Sequence, residues 1–119
     1  MPLAVQGSPV AETILGGMAA RGQGIPANPA TAAAWWLRAA QRGYAPAQIA
    51  FARALADGRG VTQDPAQAWL WATRALNTAE APVAEQARAL AASLVPRFSP
   101  AERQRLRRAE HGWMLWPSD

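Results

Sequence analysis

The chain has 119 residues, half of them apolar, and a formal net charge of +4; its twelve basic residues are all arginine, and it contains no cysteine. That length fits one domain able to bury a core. The lack of cysteine excludes disulfides, thiolate metal sites and cysteine nucleophiles, no apolar run is long enough to span a bilayer, and a charge this small favours solubility and acidic partners without announcing a nucleic-acid binder.

Met1 to Gly7 lacks the basic start and apolar stretch of a signal peptide, so the expected compartment is the cytoplasm. Ser8-Pro9 then reads as an N-cap followed by proline at the first helical position. Ala11, Ile14, Leu15, Met18 and Ala19 recur at helical spacing, and Arg21-Gly22-Gln23-Gly24 ends that helix. Ile25 is expected to plug the gap before Asn28-Pro29 opens a second helix with the stripe Ala32, Trp35, Trp36, Ala39 and Ala40 and with Ala33 on its outer face. Pro46 starts a third helix carrying Ala47, Phe51, Ala52 and Leu55. Asp57-Gly58-Arg59-Gly60-Val61 turns the chain, and Asp64-Pro65 caps a fourth helix carrying Ala68, Trp71, Ala72 and Ala75. Ala87, Leu90, Ala91 and Leu94 form a fifth stripe that Pro96 breaks. Ser99-Pro100-Ala101-Glu102 is a capping box for a last helix with Leu106, Ala109 and Trp113.

These elements repeat. A shift of 36 residues carries Gly7 onto Gly43, Ala11 onto Ala47, Gly22 onto Gly58, Pro29 onto Pro65, Ala32 onto Ala68 and Trp35 onto Trp71. A period in this range means a helix-turn-helix unit stacked on copies of itself, each covering its neighbour's apolar face. The expected fold is therefore all-α, with two regular repeats over 7–42 and 43–79 and a degenerate third repeat with a closing helix over 82–113, all in one domain. Trp35 and Trp71 are expected to be core anchors, Trp36 to face the next repeat, and Trp69 to pack on the closing segment with Trp113 and Trp116.

The run Ala11…Leu15-Gly16…Gly22-x-Gly24-Ile25…Ala32-x-x-Trp35-x-x-x-Ala39-Ala40-x-x-Gly43, with Ala47-Gln48…Gly58-x-Gly60-Val61…Asp64…Ala68-x-x-Trp71-x-x-x-Ala75 after it, resembles the Sel-one-like repeats, relatives of the tetratricopeptide repeats. The match covers roughly residues 7–79. Ala19 and Leu55 stand where that family commonly has tyrosine, and Leu76 where it has alanine. The resemblance implies a right-handed α-α superhelix acting as a protein-interaction scaffold, often in bacterial settings, and it implies no chemistry.

The residues carry no catalytic constellation of their own. Gly22-x-Gly24 and Gly58-x-Gly60 lack the preceding strand and third glycine of a dinucleotide fingerprint and read as turns. His111 is the only histidine and has no nucleophile in a recognisable context, while the carboxylates have no metal-ligand spacing. No cofactor, metal or enzymatic activity is expected. In this repeat class the first helix of each unit lines the concave side, which puts Thr13, Gly17 and Arg21, then Ile49, Arg53 and Ala56, then Arg88 and Ala92 on the expected partner-binding face. Arg53 and Arg88 are the expected contacts to an acidic or C-terminal group of a peptide. Two alternatives stand beside that reading. One is nucleic-acid contact through Arg97, Arg103, Arg105, Arg107 and Arg108, which surround the last apolar stripe instead of forming a patch. The other is a homodimer through the open face of the first helix around Ile14 and Met18. No membrane partner is expected.

Overall fold

Side chains written into the sequence start most of the helices. Ser8 Oγ accepts the Ala11 N–H at 3.3 Å, Asn28 Oδ1 the Thr31 N–H at 3.1 Å, and Asp64 Oδ1 the Gln67 N–H at 3.1 Å. Each cap is followed by a proline, whose missing N–H costs nothing in the first turn. At the last helix the box closes both ways: Ser99 Oγ accepts the Glu102 N–H, and Glu102 Oε1 accepts the Ser99 N–H, both at 3.1 Å. The resulting elements are α1 (Pro9–Arg21), α2 (Pro29–Gln41), α3 (Ala45–Asp57), α4 (Pro65–Thr78), α5 (Val83–Leu94), a 3-10 turn (Val95–Arg97) and α6 (Pro100–Ala109). This computed structural model describes residues 8–23 and 26–109, the last three of these by backbone alone. All secondary structure among the described residues is helical.

α1 packs on α2, α2 on α3, α3 on α4 and α4 on α5, so consecutive helices form two antiparallel pairs and a third, altered unit. The first helices α1, α3 and α5 also touch one another in succession, whereas α2 and α4 make no comparable contact. The stack is therefore tighter on its first-helix side.

One apolar cluster runs through the stack. Phe51, Leu55, Trp69, Trp71, Leu94, Val95, Phe98 and Leu106 are its large buried members, and alanines from α2 to α5 fill the crossings. Phe51 and Trp71 meet edge to face with ring centroids 5.7 Å apart, an arrangement that aromatic quadrupoles favour. Pro96 ends α5 through the 3-10 turn, and Phe98 and Leu106 then return the chain to the same cluster.

Two expectations about individual side chains, for Trp35 and Ala33, are corrected here. Trp35 is only partly buried and lies under the Arg38 guanidinium, 5.9 Å from the ring centroid, so it is not a core anchor like Trp71. Trp36, partly buried like Trp35, packs against the cluster, donates its indole N–H to the Thr13 carbonyl at 3.3 Å, and lies so close to Gly16 that a Cβ there would press into the ring. Ala33, expected on the outer face, is buried. Gly24, Ile25, His111, Trp113 and Trp116 lie outside the described residues.

Gly22 and Gly58 close α1 and α3 in the left-handed conformation, at φ 72° and 68°, as the repeated turn requires. Gly60 has a second constraint. Its φ is 78°, and a Cβ on it would collide with the Pro29 carbonyl at the start of α2. Gly58→Ala is therefore expected to cost about 1 kcal/mol, from the left-handed backbone together with a tight approach to the Gln63 side chain. Gly60→Ala is expected to cost about 2 kcal/mol or more, because the turn must also move off α2. Urea denaturation of the two variants checks the order; equal losses would mean that the turn does not bear on α2.

Candidate partner-binding cleft

The tight first-helix side leaves a cleft of about 330 Å3 between the first two repeats. Its floor and walls are small and apolar: Ala20 at the end of α1, Pro29 and Ala32 from the first turns of α2, and Ala50 and Ala54 on α3. Trp36 closes one side. Four charged side chains stand at its rim, Arg21, Arg53, Asp57 and Arg59. Alanine at the crossings lets α1 and α3 approach while a shallow channel stays open above them. Larger side chains at positions 50 and 54 would fill it.

The eight positions expected on the partner face separate into groups. Arg21 and Arg53 line the cleft, and both are exposed. Gly17 is buried beneath Arg21, whose Nη2 would lie 3.2 Å from a Cβ at that position. Thr13 is partly buried and its hydroxyl donates to the Pro9 carbonyl of its own helix at 2.7 Å. Ile49 is a correction: it is 2% exposed and packs with Ala45, Ala75 and Ala87, because α5 lies over that side of α3. Ala56 is likewise buried, and its carbonyl accepts from Gln63 Nε2 at 2.9 Å and from Arg97 Nη2 at 3.1 Å. Arg88 and Ala92 are exposed on α5 but do not line this cleft.

Arg59, Asp57 and Trp36 belong to the cleft although the repeat pattern assigned them elsewhere. Arg59 lies between the two positive-φ glycines Gly58 and Gly60, a local signal of a turn that says nothing of its nearness to α2. A fully buried carboxylate was also missed. Glu12 on α1 is ion-paired to Arg38 Nε at 2.6 Å, on α2, and to Arg42 Nη1 at 3.5 Å, at the C-cap of α2. It joins the start of α1 to the end of α2, whereas the cleft is lined by the end of α1 and the start of α2.

Of the basic C-terminal arginines, Arg97 is engaged at the carbonyl end of α3, Arg103 is partly buried and Arg105 is exposed. The side chains of Arg107 and Arg108 lie outside the description. On α1, Val10 and Ile14 are exposed, Ile14 by 57%. Among the described residues no group of histidine, aspartate and glutamate could hold a metal ion, and no helix is long and apolar enough to cross a membrane.

The model of the Sel1 repeat matches residues 9–44 and again 45–77, and the boundary between the two matches falls at the turn between α2 and α3. The chain belongs to the Sel1 repeat family. Sel1 repeat proteins are generally scaffolds for protein interactions, and the family is typically non-catalytic. A Sel1 repeat protein from Oxalobacter formigenes, known as a crystal structure, is 37% identical over 64% of this chain and 58% of its own, with a TM-score of 0.63. The c5321 protective antigen of uropathogenic Escherichia coli, described as displaying an SLR fold, covers 98% of this chain and superposes with a TM-score of 0.60; at 23% identity it speaks for the shared fold alone. This chain spans 58% and 28% of those two structures. No curated protein matches it. The Sel1 unit accounts for the paired helices, the glycine turns and the alanine crossings described above.

Proposed function

We propose that this Sel1 chain is a non-catalytic scaffold that holds a segment of a partner protein on its first-helix side, in the cleft between α1, α2 and α3. The observation that carries this reading is the cleft itself: an alanine floor with one aromatic wall and a charged rim, formed where two repeats meet. Apolar grooves of this kind take extended or helical peptide segments. The lining has one carboxylate, Asp57, and no serine, threonine, histidine or lysine, so it offers no nucleophile with an adjacent base.

A photo-crosslinking amino acid placed at Ala50 tests it against the same probe at Ala34, which is exposed on α2 and absent from the cleft. In cells of the source organism, the Ala50 probe is expected to give discrete covalent adducts with another protein, and the Ala34 probe is not. Adducts from Ala34 alone would move the partner to the second-helix side and end the proposal.

A further inference from the structure

The rim of the cleft carries a sharper reading, which rests on the cleft being a partner-binding surface. Its charged groups are three arginines against one aspartate, and the arginines reach it from separate elements: Arg21 from the end of α1, Arg53 from α3 and Arg59 from the turn between α3 and α4. Arg21 donates to Gln23 Oε1 at 3.2 Å. Among the described residues, the guanidinium groups of Arg53 and Arg59 have no ion-pair or hydrogen-bond partner. Two guanidinium groups without partners beside an apolar floor form a surface with an unmet charge.

The Arg59 backbone is fixed. Its N–H donates to the Ala54 carbonyl at 3.0 Å, and three residues after the turn the Asp64 N–H donates to the Leu55 carbonyl at 2.8 Å. Gly60 lies against Pro29, one of the residues lining the cleft. The turn therefore aims Arg59 at the rim instead of leaving it on a swinging loop.

We infer that the cleft reads an acidic peptide segment by two points: a carboxylate held by Arg53 and Arg59, and a neighbouring small or flat apolar side chain seated on Ala32, Ala50 and Ala54 against Trp36. A guanidinium offers a planar fork that matches a carboxylate, and the match strengthens where a concave wall excludes water. The volume of about 330 Å3 is at the lower end of ligand sites, room for a pair of adjacent side chains and not for a folded domain. Asp57 sets the class of anion. A carboxylate on the rim is compatible with one acidic side chain but works against a polyphosphate track, which gathers arginines on one uninterrupted face.

The test applies the labelled full chain to an array of random octapeptides with amidated ends, so that only aspartate and glutamate supply carboxylates. Retained peptides are expected to carry an acidic residue beside an apolar one. A resynthesised peptide should bind in fluorescence anisotropy at least about tenfold more tightly than its Asn or Gln analogue. Arg53→Gln with Arg59→Gln should erase that factor, the two Arg→Lys changes should lose part of it, and Arg105→Gln, exposed on α6 outside the cleft, should leave it intact. Circular dichroism verifies that helicity is unchanged in each variant. Retention without acidic preference, but blocked by Ala54→Trp, overturns this inference and leaves the scaffold reading standing. Retention that survives both the arginine changes and Ala54→Trp, or no retention at all, overturns both. Tighter binding of a twelve-nucleotide oligouridylate that depends on Arg53 and Arg59 overturns the peptide in favour of nucleic acid.

Discussion

Trp69→Ala is expected to lower the unfolding free energy by about 3–5 kcal/mol. Trp69 is completely buried in the cluster that also holds Leu94, Phe98 and Leu106, so its removal opens a cavity where α4 meets the closing segment. The surrounding helices cannot close that space without shifting, and the lost contacts add to the lost transfer energy. A domain of this size has about 5–15 kcal/mol to lose, and each kcal/mol moves the melting temperature by about 4 °C. Trp35→Ala should cost only about 1 kcal/mol, because that ring is partly solvated and Arg38, which lies over it, keeps its ion pair with Glu12 when the ring is removed. Chemical denaturation of the two variants measures the difference. Equal losses would show that the first unit anchors the core as strongly as the second.

That contrast marks where the repeat period stops being informative. A shift of 36 residues places Trp35 and Trp71 at equivalent positions, and the repeat does put both on a second helix. A period gives the position within a unit but not the number of neighbours a unit has. Trp71 meets Phe51 and sits between described units on both sides, whereas Trp35 has the smaller, partly buried Leu15 at the matching place and no described helix before α1. The same limit applies to Ile49. Its exposure was argued from the helical wheel of α3 alone, and α5 then covered that side. Caps and turns were more legible because they are local: Ser8, Asn28, Asp64 and Ser99 act within three residues, and Gly22 and Gly58 need only their own φ. Half of the cleft rim followed from the pattern through Arg21 and Arg53. Arg59 did not, because its placement depends on the contact of Gly60 with a helix some 30 residues earlier.

Glu12 escaped the sequence reading for a related reason, and it carries the second large expected effect. A glutamate in the first turn of a helix reads as a favourable charge at the dipole's positive end, which says nothing about burial. Here the carboxylate is wholly buried, and among the described residues its only polar partners are the guanidinium groups of Arg38 and Arg42, whose side chains are 56% and 45% exposed. Such an arrangement is asymmetric. Removing the arginines strands a charge in a dry interior, while removing the glutamate leaves two half-exposed guanidinium groups that water already reaches. Arg38→Met with Arg42→Met keeps the aliphatic stems and deletes both charges, and it is expected to cost about 3 kcal/mol, the low end for a broken buried pair because solvent reaches in from the arginine side. Glu12→Met alone should stay within about 1 kcal/mol of the parent. Adding Glu12→Met to the double arginine variant should then recover about 2 kcal/mol, a non-additivity that only a direct interaction produces. Urea melts of the four proteins close the cycle. If Glu12→Met costs as much as losing both arginines, or fails to rescue their loss, the carboxylate is held by packing and not by its ion pairs, and the link between the start of α1 and the end of α2 is apolar.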